Sequence, residues 1–163
     1  MLHLRYTTAE DIPLIASLAH KIWNAHYPPI IGQAQVDYML DLMYSRDALE
    51  KQMGEGQRFF VVEDEDGAIG FVSISDKGNG DYFLHKFYVD TDRHRSGIGT
   101  EVMEALFSPI GGLRSITLTV NRQNYKAINF YFKNGFTIDH IANFDIGKGY
   151  VMEDFVMKKR VVK

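Results

Sequence analysis

The chain has 163 residues, of which 45% are hydrophobic and 24% are charged, values typical of a folded globular domain. It contains no cysteine, which excludes disulfides, thiolate metal sites, iron–sulfur clusters and a cysteine nucleophile. The formal net charge is -3, but the four basic residues Lys158, Lys159, Arg160 and Lys163 stand at the end; the rest carries 14 basic against 21 acidic residues. An acidic body argues against nucleic-acid binding and tolerates a cationic substrate. We expect the basic tail to be a solvated chain end.

The start of the chain, Met1-Leu2-His3-Leu4-Arg5, lacks the apolar region of an export signal. No stretch approaches the roughly 18 apolar residues that a membrane span requires. We therefore expect no membrane contact, and the absence of cysteine fits a cytoplasmic location.

Changes in hydrophobic period divide the chain into predicted strands and helices. Thr8, three residues before Asp11, is typical of a helix N-terminus, and the prolines after Tyr27 end that helix because proline disfavours helix in the preceding residue. Asp66-Gly67 predicts a hairpin turn, and Gly135 predicts a helix C-terminal cap. The predicted strands are Leu2–Tyr6, Phe59–Val62, Ile69–Ile74, Tyr82–Val89, Ile116–Val120, Phe136–Phe144 and Tyr150–Met157. The predicted helices run from Thr8 to Tyr27, from Gln35 to Met43, over 97–107 and over Asn124–Asn134, with a short helical piece before Gly54.

This order, β-α-α-β-β-β-α-β-α-β-β, predicts an α/β protein in which helices cover the faces of a mixed sheet. The sequence contains no repeat, linker or low-complexity tract. We therefore expect residues 1–163 to form a single domain.

The segment from Val89 to Thr100 has the features of an anion site between a strand and a helix. Gly97 and Gly99 let a ligand approach the backbone, while the first-turn N–H groups and the helix dipole favour a pyrophosphate. An ordinary strand-to-helix turn also uses glycines in this way, so the segment alone leaves phosphate binding open. The side chains expected around the site are Arg93, His94, Arg95, Ser96 and Thr100.

Several competing motifs are absent from the sequence. A dinucleotide fingerprint requires glycine or alanine where Val102 stands, and neither a Walker loop nor a Gly-x-Ser-x-Gly nucleophile elbow occurs. The six histidines show neither His-x-His nor His-Glu-x-x-His spacing, so we predict no metal site.

Two segments together resemble the GNAT superfamily of acyl-CoA-dependent N-acyltransferases. The first is the glycine loop that opens the helix at Gly97, and the second is Asn124-x-x-Ala127-x-x-Phe130-Tyr131-x-x-x-Gly135-Phe136. The beginning of the chain, from Leu4 to Pro13, is similar to the family's first strand and helix. The resemblance covers essentially the whole chain and implies the GNAT fold, with two strands splayed at the CoA site. The family's leading Arg or Gln is His94 here, so we expect cofactor affinity to depend on Arg93 and Arg95.

The resemblance implies that acetyl-CoA lies between the Tyr82–Val89 and Ile116–Val120 strands. It also implies that Tyr131 protonates the departing thiolate, which is sensible because a phenol hydrogen bond stabilises the developing charge. The alternative is that Tyr131 only belongs to the apolar face of its helix. The residues implied to bind the cofactor are Phe87, Tyr88, Val89, Arg93, His94, Arg95, Ser96, Gly97, Ile98, Gly99, Thr100, Asn121, Asn124 and Tyr131.

The attacking amine must be neutral, so a base or a water chain has to remove its proton. The candidates are His85, Glu153 and Asp154. A strand histidine has a suitable pKa, although such a residue is equally ordinary on a sheet surface. Phe83 stands near the position where some relatives carry a glutamate, so that form of the mechanism is not expected.

The acceptor site is predicted from aromatic and acidic residues. Trp23, His26 and Tyr27 stand where the family forms its acceptor wall and could hold an amine by cation–π contact, or they could simply cover the edge of the core. Tyr150 and Asp154 fall on one face of their strand by alternation and could line the same pocket.

We therefore predict an N-acetyltransferase that moves an acetyl group from acetyl-CoA to a primary amine of a small molecule. Without a cysteine, a thiol acyl-enzyme is excluded, which favours direct transfer in a ternary complex. Within the superfamily the chain looks most like bacterial small-molecule members, including polyamine acetyltransferases. The alternatives are a protein or peptide N-acetyltransferase, a non-catalytic acyl-CoA sensor and a structural domain. Dimers are common in the family, so a homodimer is compatible with this interpretation.

Overall fold

A computed structural model describes residues 2–90 and 97–161. Within these ranges the chain forms seven strands, six α-helices and one turn of 3-10 helix at Ala9–Asp11. The strands are β1 (His3–Tyr6), β2 (Arg58–Asp64), β3 (Gly67–Asp76), β4 (Asp81–Val89), β5 (Ser115–Asn121), β6 (Thr137–Gly147) and β7 (Tyr150–Arg160). The helices are α1 (Ile12–His26), α2 (Pro28–Ile31), α3 (Gln33–Tyr44), α4 (Arg46–Gly54), α5 (Ile98–Phe107) and α6 (Tyr125–Lys133). Across the same ranges, every helix is too short or too polar to cross a membrane.

The strands form one mixed sheet in the order β1-β2-β3-β4-β5-β7-β6, which confirms the predicted α/β fold class. The β4–β5 pair is parallel and joins only three residue pairs, from Asp81–Ser115 to Phe83–Thr117. The remaining residues of β5, Leu118–Asn121, continue antiparallel to β7. Among the described residues, β4 and β5 are therefore paired at one end only.

The chain divides into two compact units, and β4 contributes residues to both. The first unit contains Met1–Ser75 and His85–Pro109, and the second contains Asp76–Leu84 and Ile110–Lys163. The core of the first unit includes Ile15, Val36, Val61 and Phe71, and that of the second includes Ile116, Leu118, Phe136 and Met157. A single domain over residues 1–163 stays a prediction.

The capping signals of the sequence are confirmed. The Thr8 hydroxyl accepts a hydrogen bond from the N–H of Glu10, and the Asp11 carboxylate accepts one from the N–H of Thr8. Ser45 likewise caps α4 by accepting from the N–H of Ala48 at 3.2 Å. Each side chain replaces a partner that the first turn of a helix lacks.

The predicted end of α1 is confirmed, whereas the prediction for the basic tail is wrong. Pro28 and Pro29 end α1, as expected, but they also begin α2, because proline suits the first helical turn, where its missing N–H is not needed. Lys158, Lys159 and Arg160 are not a solvated chain end, since they extend β7 and pair with residues 115–117 of β5.

Candidate functional site

The start of α5 lies in the first unit and begins at a glycine. Gly97 caps the helix with a φ of +84°, a left-handed conformation that favours glycine, and a Cβ there would meet no atom of the described residues within 4 Å. The N–H groups of Ile98, Gly99 and Thr100 belong to the first turn, where no intrahelical partner exists. The arrangement fits a phosphate group. The predicted ligands Arg93, His94, Arg95 and Ser96 lie outside the described residues.

The carboxyl end of β4, which carries Phe87, Tyr88 and Val89, is held by close backbone contacts. A Cβ on Gly70 of β3 would lie 2.2 Å from the carbonyl oxygen of Tyr88, so only glycine fits there. The N–H of Asp90 donates to the carbonyl of Ile69 at 2.6 Å, and the buried Asp90 carboxylate pairs with Lys21 Nζ at 2.6 Å. The roles of Gly70 and Asp90 could not be predicted from the sequence, because their partners are distant along the chain.

Aromatic rings form a cluster at the end of α1. The ring of Trp23 lies 4.5 Å from that of Tyr27, 5.7 Å from Tyr44 and 5.8 Å from Tyr88, and His26 contacts Tyr27 at 4.9 Å. Trp23 is buried, and its Nε1 atom and the hydroxyl of Tyr44 are enclosed with it. The structure thus brings the three predicted acceptor residues together with β4. Tyr44 was not predicted from the sequence to belong to this cluster. Its burial raises the pKa of its phenol well above the ordinary value.

Lys86 is buried, which was not predicted from the sequence. Its Nζ lies 5.3 Å from the ring centre of Phe59 and 5.6 Å from that of Tyr44, and it donates to Gln57 Oε1 at 3.3 Å. Burial lowers the pKa of this ammonium to about 7. The alternation of Leu84, Lys86 and Tyr88 along β4 was the one sequence signal for a lysine that faces inward.

His85, the neighbour of Lys86, contacts a serine. Its Nε2 lies 2.7 Å from the hydroxyl of Ser75. That hydrogen bond engages one of the two ring nitrogens, and its direction depends on the tautomer of the imidazole.

The second unit holds Asn124 and Tyr131 at the two ends of α6. The Asn124 side chain caps the helix by accepting from the N–H of Ala127 at 3.4 Å. At the other end, the N–H of Gly135 donates to the carbonyl of Phe132 at 3.1 Å, and the N–H of Phe136 donates to that of Tyr131 at 3.0 Å. These two bonds define a Schellman motif, which fixes the backbone of Tyr131.

Polar side chains also gather where β5 and β7 pair beyond the end of the β4 pairing. Asp154 lies opposite Asn121 and is buried, and burial raises the pKa of its carboxyl to about 6. Arg122 donates to the carbonyl oxygen of Asp154 at 3.3 Å and to Asn143 Oδ1 at 3.0 Å. Tyr150 lies four residues before Asp154 on the same strand.

Residues 55–138, which include α5, β5 and α6, match the family model of the acetyltransferase (GNAT) domain. The chain belongs to the GNAT family. It is an acyl-CoA-dependent N-acyltransferase, as the sequence motifs predicted. The glycine-capped start of α5 and the Asn124–Phe136 segment both lie within the matched residues.

Curated GNAT relatives cover most or part of this chain. It is 22% identical over 165 residues to the spermidine N(1)-acetyltransferase of Thermoplasma acidophilum, covering 98% of this chain and 97% of the relative. It is 29% identical over 103 residues to the peptidyl-lysine N-acetyltransferase YjaB of Salmonella typhimurium, covering 63% of this chain and 66% of the relative.

The fold is also similar to that of a solved GNAT structure. The PaiA N-acetyltransferase from Thermoplasma acidophilum, crystallised in complex with coenzyme A, matches with a TM-score of 0.78 at 23% identity, covering 99% of each chain. The likeness confirms the fold.

Proposed function

We propose that this GNAT enzyme acetylates a primary amine of a small cationic molecule, such as a polyamine, by direct transfer from acetyl-CoA within a ternary complex. The observation that carries the proposal is the glycine-capped start of α5, whose open first turn suits the phosphates of the cofactor. The acidic body of the chain and the relative that acts on spermidine support a cationic acceptor.

The first unit supplies the residues proposed to bind the phosphates of the cofactor and part of its pantetheine arm. The first-turn N–H groups of α5 and the hydroxyl of Thr100 hold the phosphates, and the backbone of Phe87, Tyr88 and Val89 binds the pantetheine arm. The cofactor itself supplies an acetyl group activated as a thioester. Arg93, His94, Arg95 and Ser96 are proposed to complete the phosphate site on the evidence of the sequence alone.

The second unit supplies the acid. Tyr131 donates its phenol proton to the sulfur as the bond between carbon and sulfur breaks, since a thiolate leaves more readily when its charge is met by a hydrogen bond. The Schellman motif at Gly135 fixes the backbone from which this phenol projects. Asn121 and Asn124 are proposed to contact the pantetheine arm.

The acceptor is held by aromatic faces and by an acidic group. Trp23, His26 and Tyr27 offer rings for a cation–π contact, and Tyr150 and Asp154 are further proposed substrate-binding residues. The proton acceptor is one of three groups, His85, Glu153 or Asp154, whose surroundings differ.

The test is a screen for CoA release over polyamines, amino acids, aminoglycosides and lysine peptides. We expect the fastest release with a polyamine. Release with peptides alone would favour a peptidyl-lysine acetyltransferase, the activity named for the relative from Salmonella typhimurium. Binding of acetyl-CoA without release for any amine would favour a sensor and overturn the proposal.

A further inference from the structure

One carboxyl of the second unit is buried without its full set of partners. Asp154 is 1% exposed, and its Oδ1 has no hydrogen-bond partner among residues 2–90 and 97–161. A buried carboxylate normally accepts several hydrogen bonds or pairs with a cation, because leaving it bare costs several kcal/mol. A buried carboxylate oxygen without a hydrogen-bond partner indicates a residue with a chemical role.

The charged neighbours do not neutralise this carboxyl. The positive charge of Arg122 lowers the pKa of the Asp154 carboxyl. The Arg122 guanidinium, however, donates to the backbone carbonyl of Asp154 and to Asn143. Within the described chain it forms its ion pair with Glu153, at 3.9 Å. On β6, Ala142 lies opposite Asp154, and His140, two residues away, pairs with Asp139 at 2.6 Å. In the described part of the chain, the Thr119 side chain hydrogen-bonds to the carboxyl.

Thr119 and Asp154 lie beside the splayed part of β5. The pairing of β4 with β5 ends at Thr117, and Thr119 is two residues further along the strand. Thr117, Thr119 and Asn121 alternate with the buried Leu118 and Val120, so they share the opposite face of the strand. A hydroxyl on that face, backed by a buried carboxylate, is a ready path for a proton.

We propose that Asp154 receives the proton lost by the attacking amine, relayed by the hydroxyl of Thr119. The inference rests on the proposed function. As nitrogen bonds to the acetyl carbon, its proton passes to the Thr119 oxygen, while the Thr119 proton passes to the Asp154 carboxylate. The bond between carbon and sulfur breaks, its electron pair leaves with sulfur, and the sulfur takes the Tyr131 proton. Proton exchange with water then deprotonates Asp154 and reprotonates Tyr131.

The other two candidates fit this role less well. The Glu153 side chain is 66% exposed and faces Arg122, and the Nε2 of His85 is already bonded to Ser75. The raised pKa of the Asp154 carboxyl, about 6, leaves it ionised at neutral pH and makes it a stronger base than an ordinary aspartate.

The activity test uses the fastest amine of the panel at saturating acetyl-CoA between pH 5 and 9. Wild type should lose kcat on the acidic side with an apparent pKa near that of Asp154, about 6. D154N should lower kcat by about 100-fold and abolish that limb. E55Q, which changes an exposed carboxylate outside the proposed site, should leave both unchanged. H85A separates the imidazole: if it removes the limb while D154N keeps it, the assignment is wrong.

A second pair of variants tests the relay without touching the buried charge. T119V keeps the shape of the side chain but removes the hydroxyl, and it should lower kcat by about tenfold or more, whereas T119S should restore it. Equal rates for T119V and T119S would overturn the relay.

A readout independent of turnover comes from unfolding by urea against pH. The folded carboxyl has a pKa of about 6 against an ordinary value of 3.8, so the wild type should lose stability relative to D154N as pH rises from about 4 to 6, with no further change above pH 6. The absence of this pH-dependent difference between wild type and D154N would overturn the assignment. A wild type inactive with every amine would overturn the proposed function and this assignment together. An active wild type whose D154N variant keeps its kcat and acidic limb would overturn this assignment alone.

Discussion

Tyr131 and Phe136 are held against each other across the end of α6. The N–H of Phe136 donates to the carbonyl of Tyr131 at 3.0 Å, and their rings lie 5.6 Å apart. Both contacts depend on Gly135, whose φ of +91° reverses the chain between the two aromatic residues. The proposed acid is therefore positioned by a glycine that makes no chemical contribution of its own.

Gly135→Ala should destabilise the protein by about 1–2 kcal/mol and lower kcat, because alanine is strained in the left-handed region. Its Cβ would also lie 3.3 Å from the side chain of Lys159. Thermal unfolding and CoA release measure the two effects. Gly111→Ala is the matched control, since a Cβ there meets nothing within 4 Å and its φ is not left-handed. Equal stability of the two variants would contradict the role of the motif.

Tyr131→Phe should lower kcat by about 100-fold while leaving the Kd for acetyl-CoA unchanged, because only the proton donor is removed. Tyr125→Phe removes a hydroxyl from the same helix at a side chain that is 69% exposed, and it should have no effect. Initial rates with calorimetric titration of CoA distinguish the two. Full activity of the Tyr131 variant would leave this residue a packing role only.

Gly97→Glu should weaken acetyl-CoA binding by at least about tenfold. A side chain at a φ of +84° is strained, and its carboxylate would place negative charge at the helix N-terminus that the phosphates need. Gly112→Glu controls for both the strain and the charge, since Gly112 has a φ of +72° and similarly open surroundings in the second unit. Titration calorimetry with CoA measures the affinity of each variant. Unchanged affinity of the Gly97 variant would contradict phosphate binding at this helix.

Lys86→Met should stabilise the protein at pH 6 and lose that advantage at alkaline pH. The pKa of Lys86 is about 7 in the folded chain against an ordinary value of 10.5, so the unfolded chain holds the proton more tightly between these values. Wild-type stability should therefore rise with pH over this window, and the penalty of burying the charge is fully present below pH 7. The comparison is urea unfolding at pH 6, 8 and 10, with the exposed Lys51→Met as control. A constant difference between wild type and the Lys86 variant at all three pH values would refute the buried charge.

The main elements could be predicted from the sequence because their signals are local. The cap at Thr8, the glycine after α6 and the alternation of β5 each depend on residues within one turn or a few positions. The GNAT motifs are local in the same sense, since each spans one strand-to-helix or helix-to-strand junction. The end of α1 at Pro28 was predicted, but the start of α2 was not, because a proline that ends one helix also suits the start of the next.

The sequence by itself thus determined the family, the order of elements and the glycines that shape the two motifs. Only the tertiary structure decided which polar side chains are buried and what surrounds them. Lys86 meets Gln57 across 29 positions and Arg122 meets Asp154 across 32, and the β4–β5 pairing joins residues 34 positions apart. Burial and pKa are set by such distant contacts, so a lysine or an aspartate in a strand does not reveal its charge until the sheet has assembled.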